Sequence, residues 1–357
     1  MSKARVLIVD DAVVVRRLLS DLLSSDPTLE VAGTAAHGRI ALMKIPQVQP
    51  DLVTLDVEMP VMDGLETLAE IRQSYPRLPV IMFSALTERG AAATLDALAL
   101  GAADYVTKPA SGGTMEASMQ RIREELIPKI KAFCANIIGP ETPLRATPPV
   151  LSPPRVPRPA QRVDIVAIGV STGGPKALAQ LISTLPAHFP VPIVIVQHMP
   201  PIFTKSLAQR LSAHASIPVY EGAPGDILRG GCAWIAPGGY HMVVNRRIAA
   251  VQIQTNQAPP VHSCRPAVDV LFRSVSETYH GHTLAVVLTG MGQDGLQGCE
   301  GIHQAGGQII IQDEESSVVW GMPGSVARAG LADKILPLEQ LAPEIVRRVQ
   351  VGRLQLV

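Results

Sequence analysis

Residues 163–184 read VDIVAIGVSTGGPKALAQLIST, and this stretch decides the fold of the second half of the chain. Residues 163–169 are nearly all apolar, the pattern of a strand buried on both faces. Glycines follow within five positions, and a helix pattern begins at Lys176. A buried strand feeding a helix through a glycine turn is the unit from which parallel α/β sheets are built.

Outward from this unit the pattern repeats. Further buried-strand runs lie at 191–196, 284–289 and 308–311, with shorter candidates at 217–220, 232–236 and 248–254. Upstream, strands are expected at 5–9, 29–35, 51–55, 79–83 and 104–107. Helices are expected between and after them at 13–24, 38–45, 64–73, 88–99 and 115–133. Between the halves, residues 139–162 hold eight prolines and no apolar periodicity. Proline fixes φ and removes donors, so this piece reads as a semi-rigid spacer. The expected domains are therefore 1–133, a linker over 134–162, and 163–350. Each domain is expected to be a doubly wound α/β fold, the first a five-stranded parallel sheet of flavodoxin-like type.

Composition narrows the function. Apolar residues make up 47% of 357 and aromatics only 3%, which suits aliphatic α/β layers. Lys+Arg and Asp+Glu stand at 31 each, without the basic surplus of a nucleic-acid binder. Cys134, Cys232, Cys264 and Cys299 are widely spaced, which argues against a zinc site and for a reducing compartment. Residues 177–204 lack charged side chains but hold five prolines, which breaks any membrane span. No secretory leader is visible, and a cytoplasmic location is expected.

In open parallel sheets ligands gather beyond the carboxyl ends of the strands. In the first domain those positions hold Asp10, Asp11, Asp56, Ser84 and Lys108. Each could singly be a helix cap. Together they form a carboxylate cluster suited to Mg²⁺, with a nucleophilic aspartate and two groups to meet phosphoryl oxygens. In the second domain GVSTG at 169–173 fits the G-x-S-x-G nucleophile elbow. A phosphate loop is the poorer fit, because Pro175 precedes Lys176 and Ala177 stands where a hydroxyl is needed. His198 and Asp294 follow two other buried runs, so serine, histidine and carboxylate share one sheet rim. Their order along the chain differs from that of α/β-hydrolases, but a triad is defined by geometry.

The motifs VLIVDDA (6–12), LDVEMPVMDGLE (55–66), FSALTERG (83–90) and GAADYVTKP (101–109) resemble those of response-regulator receiver domains. The resemblance implies Asp56 as phospho-acceptor and Asp10, Asp11 and Asp56 as Mg²⁺ ligands. It also implies Ser84 and Lys108 as phosphoryl contacts and Tyr105 as the aromatic switch position. AIGVSTGGP (167–175), VIVQHMPPIFT (194–204), IAPGGYHM (235–242), RPAVDVLF (265–272), VVLTGMGQDG (286–295) and GMPGSVA (321–327) resemble the CheB family of chemotaxis protein-glutamate methylesterase/glutamine deamidases. That resemblance implies Ser171 as nucleophile, His198 as base and Asp294 as its orienting carboxylate. Thr172 is then a positioning hydroxyl and Met291 an oxyanion donor through its N–H. No cofactor is implied for the hydrolase. The implied partners are methyl-accepting chemotaxis receptors as substrate and a chemotaxis histidine kinase as phosphodonor. Two departures from the family pattern are Ala267, where serine is usual, and Cys264 just before Arg265.

Overall fold

The computed structural model describes residues 2–108, 115–139, 161–248 and 250–353, and the proline-rich stretch 140–160 lies outside them. The chain divides into two units, Met1–Ala146 and Thr147–Val357.

The first unit holds β1 (Ala4–Val9), β2 (Leu29–Ala35), β3 (Leu52–Asp56), β4 (Val80–Ser84) and β5 (Asp104–Thr107). They form one parallel sheet in the order β2-β1-β3-β4-β5. β3 and β4 are buried at every residue, which is why their sequences are continuous apolar runs. Helices cover both faces, as expected of alternating strands and helices. The winding direction reverses at β1, so a crevice opens between the ends of β1 and β3. The following helix, Gly64–Ser74, is started by a capping box between Asp63 and Glu66. A Cβ on Gly64 would stand 2.2 Å from the Asp56 carbonyl oxygen, so only glycine lets this helix approach the end of β3 so closely. The helix expected over 38–45 runs on to Val48. Pro46 sits in its last turns, where only one intrahelical donor is lost, and the helix ends at Gln49 with φ 44°.

The second unit holds β6 (Ile165–Val170), β7 (Ile193–Gln197), β8 (Val219–Glu221), β9 (Ala233–Ile235), β10 (His241–Arg246), β11 (Val251–Asn256), β12 (Thr283–Val287), β13 (Gln308–Gln312) and β14 (Lys334–Leu336). Seven of these form a parallel sheet in the order β14-β13-β12-β6-β7-β9-β8. β10 and β11 pair as a separate antiparallel hairpin. β6, β7 and β12 are fully buried and lie side by side at the centre. The chain winds outward from β6 through β7 to one edge, then returns to β12 and winds to the other. The switch point is therefore the gap between β6 and β12. β10 and β14 are not anticipated by the sequence patterns. β14 has three residues and pairs on one side only, and β10 ends in the exposed polar pair Asn245–Arg246.

The helix Val268–Tyr279 packs its apolar stripe, including Leu271, Phe272 and Val275, into the core shared by the hairpin and β6. Burying one such Leu or Phe side chain contributes roughly 1.5–3 kcal/mol. Gly169 in β6 permits this: a Cβ there would meet Val268 at 2.4 Å. The N-terminus of this helix consequently arrives beside the rim of the sheet.

Candidate active site

Each strand of the switch point delivers one chemical group. Val170 in β6 is register-paired with Gln197 in β7. The next residue on each strand is Ser171 and His198, and the His198 N–H donates to the Val170 carbonyl at 3.2 Å. On the other side, the loop after β12 carries Asp294, which is 2% exposed. Its Oδ2 lies 2.8 Å from His198 Nε2. The three expected residues therefore share one rim, with the serine strand between the other two.

The elbow is held by its backbone. Ser171 N–H donates to the Thr289 carbonyl at 3.0 Å, and Gly174 N–H donates to the Ser171 carbonyl at 2.8 Å. Gly173 is left-handed at φ 77°, which turns the chain into the helix Gly174–Ser183. Among the described residues the Ser171 hydroxyl has no hydrogen-bond partner, and Nε2 of His198 is taken by Asp294. Thr172 is buried beside the elbow and makes no hydrogen bond to His198, while its carbonyl accepts from Thr289 Oγ1 at 2.9 Å. In the loop after β12 the Met291 N–H has no acceptor among the described residues, whereas the Gly290 carbonyl receives Gly321 and Met322 N–H. An unpaired N–H near the nucleophile is what an oxyanion donor requires.

Two backbone N–H groups at the start of the helix Val268–Tyr279 hold the carboxylate. Val268 N–H donates to Asp294 Oδ2 at 2.7 Å and Asp269 N–H to Oδ1 at 2.9 Å. Burial pushes the Asp294 carboxyl up, but His198 and these N–H groups outweigh it and leave it below the usual range. Burial alone would lower His198. Asp294 and the Cys264 thiol lying against the ring instead push it up to about 10.

The sequence patterns do not single out Gln197. Its buried Nε2 donates to the carbonyls of both Ser171 (3.0 Å) and His198 (3.2 Å), bracing the two rim residues together. Gly174 makes room for it, since a Cβ there would meet Gln197 Oε1 at 1.9 Å.

The first unit has a second site between β1 and β3. Asp10 and Asp56 are buried, and Lys108 Nζ lies 3.0 Å from Asp10 Oδ2 and 2.8 Å from Asp56 Oδ2. Carboxylate oxygens of Asp10, exposed Asp11 and Asp56 lie within 4.8 Å of one another. This all-oxygen carboxylate donor set fits a hard divalent cation. Burial pushes Asp56 up to about 6, helped by the Asp10 charge and opposed by Lys108. Ser84 is fully buried, with its hydroxyl donating to the Gly90 carbonyl at 3.2 Å, a hydrogen bond that must be given up before the hydroxyl can donate to a phosphoryl oxygen. Tyr105 is buried, with Lys129 Nζ 5.2 Å from the ring centre.

Comparison with known proteins places both units. A family model described as CheB methylesterase matches residues 166–345, and one described as response regulator receiver domain matches residues 6–120. A protein-glutamate methylesterase/protein-glutamine glutaminase of Trichodesmium erythraeum is 58% identical over 352 residues, covering 98% of this chain and 100% of its own length. The chain belongs to the CheB methylesterase family. A relative of the same description from Nocardioides sp. is 50% identical over 363 residues, covering 100% of this chain and 98% of its own. The crystal structure of the Thermotoga maritima CheB methylesterase catalytic domain is 41% identical, covers 52% of this chain and 99% of that one, and superposes with a TM-score of 0.51. The chain is thus a methylesterase-type hydrolase with a response-regulator receiver, and no helix among its described residues is long and apolar enough to cross a membrane.

Proposed function

We propose that this chain acts in the cytoplasm on chemotaxis receptors. It hydrolyses glutamyl methyl esters and deamidates selected glutamines, under control of phosphorylation at Asp56. The observation that carries the reading is the strand register that brings Ser171 and His198 off neighbouring strands at one level, with His198 Nε2 2.8 Å from Asp294.

Ser171 Oγ bonds to the side-chain γ-carbonyl carbon while its proton passes to His198. The hydrogen bond to Asp294 occupies Nε2, so Nδ1 is the nitrogen that receives it. The carbonyl oxygen becomes an oxyanion facing the Met291 N–H, where one lost donor costs about 2.7–4 kcal/mol in other enzymes. The imidazolium then protonates the leaving group, which departs as methanol or ammonia. Water repeats the sequence on the acyl-enzyme, giving glutamate and free serine. Thr172 packs at the elbow and supports the serine turn. Release of methanol from receptor carrying labelled methyl esters is expected of the wild type, and a wild type that releases none overturns the reading.

His198 must be neutral to act as base, and its partners hold its proton above the ordinary imidazole range. Turnover should therefore be lost as pH falls through the His198 pKa and gained as pH rises. Cys264 is one cause of that elevation. Replacing Cys264 by alanine should move the acid limb of the kcat/KM profile to lower pH, and an unmoved limb would exclude a coupling between thiol and base.

In the receiver, Asp56 is the proposed phospho-acceptor, with a chemotaxis histidine kinase as donor. Asp10, Asp11 and Asp56 would hold Mg²⁺, and Lys108 and Ser84 would meet the phosphoryl oxygens. When bound, the cation neutralises charge on the carboxylates and the transferred group. With Mg²⁺ and acetyl phosphate the full chain should take up one phosphoryl group and gain esterase activity. Asp56→Asn should do neither, as read by phosphate-affinity gel and methanol release.

A further inference from the structure

The ladder between β6 and β7 closes with the His198 N–H donating to the Val170 carbonyl at 3.2 Å. Beyond that bond the two strands part. The Ser171 N–H turns to the other neighbour and donates to the Thr289 carbonyl after β12, at 3.0 Å. The His198 ring turns to Asp294, which Val268 and Asp269 N–H hold from a separate helix. Among the described residues no hydrogen bond joins Ser171 to His198 directly. Nucleophile and base are thus anchored on different segments, yet proton transfer between them needs a fixed spacing.

One side chain spans the gap. The same Nε2 of Gln197 donates to the Ser171 carbonyl and to the His198 carbonyl. The Ser171 carbonyl also receives the Gly174 N–H, whereas the His198 carbonyl has no other donor among the described residues. Gln197 is 2% exposed and closes a strand whose other residues, 193–196, are all aliphatic. An aliphatic side chain would fill this space without burying a polar group. The carboxamide stands there although its Oε1 is buried with no donor, an arrangement that costs stability. The position is built around what the nitrogen does.

We infer that Gln197 is a positioning residue for the hydrolysis: its amide nitrogen sets the spacing of nucleophile and base by holding both backbones at once. This deepens the proposed function and rests on Ser171 and His198 as nucleophile and base. No proton of Gln197 enters the reaction. What it fixes is the approach of Ser171 Oγ to the imidazole, where a misplacement of about 1 Å costs about 10²-fold in rate.

Gln197→Met in the full-length chain keeps the length of the side chain and loses the donor. Its kcat for methyl ester hydrolysis should fall by about 10²-fold, with KM changed by less than about twofold. A small serine-directed phosphonyl fluoride, which needs an activated serine and no receptor, should inactivate the variant more slowly by the same factor. The proton shared by His198 Nε2 and Asp294, followed by NMR of the histidine-labelled chain, should persist, because Asp294 is held from another segment. Gln197→Asn keeps a buried amide but draws its nitrogen back by about 1.5 Å, out of reach of at least one carbonyl. It should lose at least about tenfold in kcat, and it decides the matter if the methionine variant does not fold. Wild-type kcat in either folded variant would overturn the inference. So would a slowed receptor turnover with phosphonyl fluoride reacting at the wild-type rate, since Gln197 would then act on receptor binding. Loss of the His198–Asp294 proton signal would also overturn it, by placing the effect on that pair and not on the serine–imidazole spacing. A wild type without turnover, or with turnover that Ser171→Ala retains, would instead remove the triad assignment beneath it.

Discussion

Ser171→Ala is expected to lower kcat for methyl ester hydrolysis by about 10⁴- to 10⁶-fold, the range seen when a nucleophilic serine is removed elsewhere. The elbow should survive the change. It is held by Ser171 N–H on Thr289, by Gly174 N–H on the Ser171 carbonyl and by Gln197 Nε2 on that same carbonyl. The hydroxyl itself contributes no hydrogen bond among the described residues. Thermal stability should accordingly change little, within the roughly 0.5 kcal/mol typical of a substitution that touches no structural partner. Substrate binding should also persist, because the loss falls on a bond formed only in the transition state. The measurement is methanol release under saturating methylated receptor, with a melting curve on the same preparation. A fall of less than tenfold would move the nucleophile elsewhere. A large fall accompanied by a collapsed melting temperature would mean that the hydroxyl is structural.

The sequence makes some of this arrangement visible for a physical reason. A strand buried on both faces must be apolar throughout, so β3, β4, β6, β7 and β12 announce themselves as uninterrupted runs. Residues just beyond such runs fall on one rim, and that geometry makes Asp10, Asp56, Lys108, Ser171, His198 and Asp294 readable as sites without knowledge of strand order. What escapes is whatever depends on contacts between segments remote in sequence. Gln197 reads as the end of an apolar strand, yet its carboxamide bridges Ser171 and His198. Asp269 reads as an acidic residue in the first turn of a helix, where it would help from the surface. It is instead fully buried because that turn is aimed at Asp294. Its partner His262 lies in HSCRP, where no spacing rule identifies an imidazole–carboxylate pair. Ser84 sits at the expected strand end, but its rotamer faces Gly90, and rotamers are decided by packing. β14 is missed because three residues pairing on one side carry too little periodicity to register.

Asp294→Asn should be nearly as damaging as loss of the serine, and for a reason the hydrogen bonds make specific. Asp294 accepts on both oxygens: Oδ1 from Asp269 N–H, and Oδ2 from Val268 N–H and from His198 Nε2. An asparagine of the same shape has one accepting oxygen and one donating amide. If the amide replaces Oδ2, it points a donor at Val268 N–H and at His198. The ring must then accept at Nε2, which places the proton on Nδ1 and leaves no base facing Ser171. If the amide replaces Oδ1, His198 keeps its tautomer, but the buried amide meets the Asp269 N–H and leaves that donor unpaired. An unsatisfied buried donor costs about 1–3 kcal/mol, and in neither orientation is there a charge to stabilise imidazolium. The expected result is a fall in kcat of about 10⁴-fold, the size found for the equivalent change in a serine protease. A lowered melting temperature should accompany it, unlike Ser171→Ala. The two variants thus separate cleanly in a paired activity and melting experiment. Activity retained within tenfold in Asp294→Asn would show that His198 takes its orientation from another group. Cys264 would then be the first residue to test, since its thiol lies against the same ring.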